Sequence, residues 1–415
     1  MQRTIVGMEQ LRSSGYEALA GKRCATLVHS ASALPDTLIH TVDALAHAPK
    51  VQLSAILAPE HGFRGDRQAE HGDPKPYIDK ETGIWVHSVY RKSPSALASL
   101  LRDFDVVVVD LQDVGTRLYT FVWTLYTLMQ AAAIHLSKPP TFLIADRPNP
   151  LGGLAVEGPI LNVSCCASRY GYAAVPHRHS LTVGEAAQLF ADSIASSSPP
   201  SSSAPPQRLN VTVIPMKHWR RSMLFRDTGL PWLPPSPNLP TAESAVAYAA
   251  AVFVEATTAS EGRGTTTPFQ LIGAPFLNAS QLAARLATPR RARGSQADVL
   301  PQWREAFFMP TWFKWNKSVC NGAQFVRPNA SHSLFRDGVH LLAALRAVAR
   351  PPSAFQWDGR WFGQPGSILI DRYAGTPQLR ELLDAGETPD AVADAFVSEA
   401  ATFAKVTRLP YLLYD

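Results

Sequence analysis

The chain has 415 residues, with 39 Lys+Arg against 34 Asp+Glu for a formal charge of +5, and it is 46% hydrophobic and 18% charged. That balance excludes disordered, collagen-like and coiled-coil classes, and the length predicts two or three domains at roughly 100–200 residues each. A surplus of five charges is too slight to argue for nucleic acid, and the local cluster of Arg290, Arg291 and Arg293 reads as a solvated loop.

The N-terminal segment carries Glu9 and lacks an apolar core of the secretory type, so the expected setting is cytoplasmic. Cys24, Cys165, Cys166 and Cys320 show neither CxxC spacing nor a disulfide framework, which suits a reducing compartment. Short apolar runs then alternate with helical segments. The runs are CATLV (24–28), VQLSAIL (51–57), DVVVV (105–109), TFLIA (141–145) and LNVTVIP (209–215). Helices are expected over 37–48, 94–104 and 119–135, with another starting at the cap-like Thr182. Continuous β-branched runs of this length mark parallel strands covered on both faces, so the first part of the chain reads as a Rossmann-like α/β domain. The apolar stretch 118–136 is broken by Thr120, Thr124, Thr127 and Gln130 and predicts a buried core helix, with no membrane partner.

Ser and Pro dominate 196–206, a composition that cannot bury a core and reads as a flexible insertion. A second Pro-rich stretch, 230–240, marks a boundary between a domain at 1–232 and a smaller α+β domain at 233–415 that closes a cleft. Helices are expected there over 241–251, 278–287, 333–349, 377–386 and 389–404.

Polar side chains follow each early strand at once: His29, then Glu60 and His61, then Asp110, then Asp146 and Arg147. In an open α/β sheet the ligand lies outside the carboxyl ends of the strands, so these residues rim one edge. The loops PEHGFRGD (59–66), DLQDVGTRLYT (110–120), DRPNPLGG (146–153), AVEGPIL (155–161) and ASEGRGTTTPF (259–269) combine acids, arginines and glycines in the manner of a binding cleft. Asp146 reads first as a helix cap, while Asp110 and Asp113 stay open between capping and catalysis. Glu157 is either a partnered buried carboxylate or a catalytic one. No GxGxxG or GxxxxGK[ST] cradle and no GxSxG elbow occurs, so no nucleotide cofactor is expected. His61, His177 and His179 keep a metal-dependent hydrolase as a minor alternative.

In these same segments, together with RHSLTVGE, VIPMKHWRRSM, TGLPWLPPSPNLPT and the tail LPYLLYD, the chain resembles the peptidoglycan exo-β-N-acetylmuramidases, long classed as a domain of unknown function. The resemblance runs from about residue 20 to the C-terminus. It implies a Rossmann-like domain, a smaller second domain, an interface cleft, and a cofactor-free exo-glycosidase acting at the non-reducing end of muropeptide or amino-sugar substrates. By position it implies Glu60 as the catalytic carboxylate, here the general acid, with Glu157, Asp110 or Glu261 as a second group, or the substrate's own acetamido oxygen. Arg64, Arg117 and Arg263 are candidates to fork onto the lactyl carboxylate, and His61, Asp113, Tyr119 and Asn149 to bind the sugar. The chain departs from the family pattern at His29–Ser32, at Ala256 and Thr258, and at Thr267. A binding protein that kept the cleft without turnover is the alternative from another class.

Overall fold

The computed structural model of the protein describes residues 2–66, 75–197, 205–287, 302–364 and 366–415. The basic cluster at 290–293 and most of the Ser/Pro stretch lie outside the described residues. Helix α1 (Gly7–Ser13) precedes strand β1 (Arg23–Val28), α2 (Thr41–Ala46) and β2 (Gln52–Ala58). Next come β3 (Tyr77–Ile78), β4 (Trp85–Ser88), α3 (Pro94–Leu101), β5 (Val106–Asp110), α4 (Phe121–His135) and β6 (Thr141–Ala145). Strands β7 (Glu157–Ile160) and β8 (Pro176–Arg178) form a separate ribbon flanking α5 (Val163–Cys166). Helix α6 (Val183–Ala195) and β9 (Val211–Ile214) complete the main sheet.

The sheet order is β3-β4-β2-β1-β5-β6-β9, with only β3 antiparallel to its neighbour. Renumbered by sequence, the six parallel strands run 3-2-1-4-5-6, the doubly wound order whose switch point opens a crevice between its first and fourth strands. The five expected strands are all present. Strands β3 and β4 escaped prediction because they are only two and four residues long, with Tyr77, Ile78 and Trp85 facing solvent.

Helix α4 buries eleven of its fifteen residues, which makes it the expected core helix. Among the described residues no helix is long and apolar enough to cross a membrane. Thr182 caps α6 in a reciprocal box with Glu185, as its sequence position predicted.

The second part of the chain contains α7 (Ala242–Ala251), β10 (Leu271–Ala274), α8 (Ala279–Ala287), β11 (Gln302–Phe308), β12 (Cys320–Arg327), α9 (Leu334–Val348) and α10 (Ile368–Ala374). Its three strands form an antiparallel sheet in the order β10-β12-β11. The expected helix over 389–404 is two helices, Pro389–Asp394 and Val397–Thr402. They break where Phe396 turns inward against Phe335, 5.7 Å between ring centroids. One hydrophobic core runs from Leu27 and Val109 through Trp123 and Phe190 to Phe253 and Leu345, so both parts share it. Cys165 and Cys166 form a vicinal disulfide, a pairing that spacing rules do not flag, while Cys24 and Cys320 are buried free thiols.

Candidate active site

A cavity opens between the two parts at the carboxyl edge of the sheet. It is lined from the first part by Glu60, His61, Tyr90, Tyr119, Thr120 and Arg169, and from the second by Asn238, Tyr248, Glu255, Arg263 and Tyr373 among others.

The loop after β2 explains how Glu60 reaches it. His61, Gly62 and Gly65 all take left-handed backbone conformations, and the positive φ of His61 is a strained state of the kind that clusters at functional sites. The turn splits the loop into two directions. Glu60 and His61 face the cavity, where the Thr120 hydroxyl donates to Glu60 Oε2 at 2.9 Å and Ser236 Oγ lies 3.3 Å from His61 Nε2. Phe63 turns the other way into a small core with Val28, Ile56 and Val86. Arg64 follows it, over the Phe63 ring and forked onto Asp79 at 3.0–3.1 Å, with a second ion pair to Asp43. Arg64 therefore does not line the cavity.

The loop after β5 is mostly scaffold. Asp110 is fully buried, bonded by Arg147 through Nε and Nη2 and by the Thr41 hydroxyl. Asp113 accepts from the Gly115 backbone at 2.7 Å and sits 3.4 Å from His179 Nε2. Gly115 has φ +79°, and a Cβ there would strike Asn149 Oδ1 at 2.3 Å. Asn149 itself bonds Leu151 N and Leu181 O, a turn-forming role rather than a sugar-binding one. Arg117 is wholly buried, with burial pushing it down to about 9, and it donates to the carbonyls of Tyr170, Arg372 and Tyr373. It pins α10 to the first part, which positions Tyr373. Only Leu118, Tyr119 and Thr120 of this loop line the cavity, the Tyr119 hydroxyl donating to Pro235 O at 2.9 Å.

Three expected second carboxylates are also elsewhere. Glu157 pairs with Arg178 at 2.6 Å and accepts from Ser333 Oγ and Phe335 N, joining β7 to the start of α9. Asp110 belongs to the Arg147 pair. Glu261 is buried behind the cavity, 3.1 Å from Arg263 Nε and 3.2 Å from Lys314 Nζ. Asp146 is the cap its position suggested, accepting from Gly184 N, the Thr182 hydroxyl and the Tyr414 hydroxyl.

The carboxylate that does line the wall opposite Glu60's loop is Glu255, which sequence reasoning missed. It sits in the segment after α7, bonded by Arg263 and by the Tyr373 hydroxyl, and burial holds its carboxyl above the usual range. Lys314 fixes this segment by donating to the carbonyls of Val254, Glu255, Thr257 and Ala259 at 2.9–3.1 Å. The run AAVFVEATT offered no signal, because Glu255 stands between apolar residues as any amphipathic helix residue would. Burial also holds Tyr119, Tyr248 and Tyr373 above the usual phenol range, so all three keep their protons as donors. Asn238 Nδ2 is buried without a hydrogen-bond partner among the described residues, a donor left for a bound oxygen. None of the family departures at 29–32, 256, 258 and 267 lines the cavity.

The histidines do not converge. His61 faces the cavity, His177 Nε2 lies 2.7 Å from Ala249 O, and His179 Nδ1 accepts from Leu181 N. No group of three or more His, Cys, Asp or Glu poised to hold a metal ion occurs among the described residues. Burial pushes the His177 imidazole from 6.5 down to about 3. A lowered folded value supports the fold fully above the unfolded pKa and loses that support as pH falls below it. This group is expected to cost about 1.4 kcal/mol per pH unit from about pH 6.5 down to about pH 4. Urea midpoints across that range should fall less steeply for His177→Gln than for the wild type. Parallel slopes would place the acid sensitivity elsewhere.

Residues 25–243 match the model of the N-terminal domain of the exo-beta-N-acetylmuramidase NamZ, and residues 246–414 match that of its C-terminal domain. The chain is 35% identical to the peptidoglycan beta-N-acetylmuramidase NamZ of Bacillus subtilis (strain 168), over 98% of this chain and 91% of that one. Two crystal structures of DUF1343 family proteins from Bacteroides fragilis NCTC 9343 are similar throughout. BF0371 aligns with a TM-score of 0.81 at 29% identity, and BF0379 with 0.73 at 27%, each covering 100% of this chain and 99% of the other.

Proposed function

The chain belongs to the exo-β-N-acetylmuramidase NamZ family, and from that premise we propose that its cleft hydrolyses β-linked N-acetylmuramic acid from the non-reducing end of peptidoglycan-derived glycans, with Glu60 as general acid. The observation that carries the assignment is that Glu60, alone among the acids weighed for catalysis from the sequence, lines the cavity. Its half-buried carboxyl is oriented by the Thr120 hydroxyl, which suits a group that must protonate the departing glycosidic oxygen. The second acid in this reading is Glu255. Arg263 and Tyr373 hold both of its oxygens, so it is assigned to stabilising the oxocarbenium-like centre while the substrate's acetamido oxygen attacks. Tyr119, Tyr248, Tyr373 and Phe269 supply the aromatic wall typical of a small-ligand site.

A chromogenic β-N-acetylmuramide tests the reading against the matching N-acetylglucosaminide. Release from the muramide alone is expected. Equal release from both sugars would overturn the substrate, and binding without release by folded protein would make the chain an amino-sugar binder.

A further inference from the structure

Two carboxylates, Glu255 at the cavity and Glu261 behind it, are buried around the guanidinium of Arg263. One cation does not keep two buried acids ionised, because like charges brought together away from water drive one of them to take up a proton. The second cation is Lys314, 1% exposed, whose Nζ stands 3.2 Å from Glu261 Oε2 and 2.9 Å from the backbone carbonyl of Glu255 itself. We propose that Lys314 is the positioning residue for Glu255: its ammonium holds the backbone that carries this acid and completes a two-against-two charge balance that keeps the acid ionised for the reaction. The inference rests on the reading of Glu255 as the second acid of the muramidase cleft.

The geometry is that of a cation cage. The carbonyls of Val254, Glu255, Thr257 and Ala259 converge on Nζ at 2.9–3.1 Å, and with Glu261 they give the ammonium five oxygens for its three N–H donors. More acceptors than protons means that the charge itself, and not a set of single hydrogen bonds, organises the segment. The chain accepts strain to deliver it: Phe313 and Trp315, on either side of Lys314, take left-handed backbone conformations with φ of 71° and 58°. Trp315 Nε1 also donates to Thr258 O at 2.8 Å, so one loop grips the Glu255 segment twice. The groups that face the Glu255 carboxyl are Arg263 and Glu261 from the following loop, Lys314, Tyr373 on α10, Tyr248 on α7 and Tyr170 before β8. Glu60, His61 and Arg169 lie across the cavity. Burial keeps the three phenols neutral, so the balance within the wall is set by Arg263, Glu261 and Lys314.

Carbon-13 glutamate labelling of the intact protein reads the ionisation of Glu255 by NMR whether or not turnover is seen, its signal being assigned by loss in Glu255→Gln. Lys314→Gln keeps N–H donors for the cage and removes only the charge, so it should raise the Glu255 titration midpoint by about 1 unit or more. Glu261→Gln removes the opposing charge and should lower the midpoint by a similar amount, a shift that can be read even if Lys314→Gln does not fold. The double variant withdraws one charge of each sign and should return the midpoint towards wild type. Where Glu255 acts as its carboxylate, the acid limb of kcat should follow, moving up in pH for Lys314→Gln and down for Glu261→Gln with KM little changed. An unmoved midpoint in either folded variant overturns the proposal and leaves Lys314 a structural lock, which would lower the melting temperature alone. Midpoints that move while the acid limb of kcat stays in place would instead remove Glu255 from the reaction and leave the charge balance standing.

Discussion

Glu60→Gln is expected to lower kcat on a natural muramyl disaccharide by about 10²–10⁴-fold, the usual contribution of a positioned general acid. The amide keeps the shape and can still accept the Thr120 hydroxyl, so KM and melting temperature should stay close to wild type. What it loses is the proton. That loss matters most when the leaving oxygen is a sugar hydroxyl, which departs poorly as an anion, and less when it is a nitrophenol, which departs well. The deficit should therefore shrink on the chromogenic substrate relative to the disaccharide. A nucleophile at position 60 would give a different pattern, with both substrates failing alike because attack itself is lost. Wild-type turnover of the disaccharide by Glu60→Gln would remove this residue from the reaction.

The carboxyl edge of the sheet was legible because strand periodicity and chain direction alone decide which residues follow each strand. Those two facts place His29, Glu60, Asp110 and Asp146 on one rim, and the observed 3-2-1-4-5-6 order puts them there. Sequence could not say which way each side chain turns within the rim. Glu60 and Arg64 are four residues apart in one loop, yet the left-handed turn at His61–Gly62 and the burial of Phe63 send them to different environments. Asp110 and Glu157 carry the same chemistry as Glu60 but are consumed by Arg147 and Arg178. These partners lie 37 and 21 residues away, and no local pattern links them. Glu255 and Lys314 were invisible for the complementary reason. Their environment is made by chain segments about 60 residues apart that meet only through tertiary packing.

Asp110→Asn is expected to destabilise the fold by about 3–5 kcal/mol, the cost of leaving one member of a buried ion pair without its counter-charge. Asp110 has no exposed surface and Arg147 very little, and the guanidinium bonds both carboxylate oxygens while also donating to Ala33 O. An amide supplies one acceptor where the fork meets two, and it supplies no charge. Against a total stability of about 5–15 kcal/mol that loss is large, so the urea midpoint should fall sharply. The catalytic consequence is expected to be small: at temperatures where the variant stays folded, kcat per folded molecule should match wild type, because Asp110 does not line the cavity. Replacing both partners, as in Asp110→Leu with Arg147→Met, should recover part of the stability, since paired apolar side chains avoid the stranded charge. The opposite pattern, a lost kcat at an unchanged midpoint, would put Asp110 back among the reacting groups. It would also require the rim to rearrange when substrate binds, because Asp110 points into the sheet edge beneath Arg147 and Thr41.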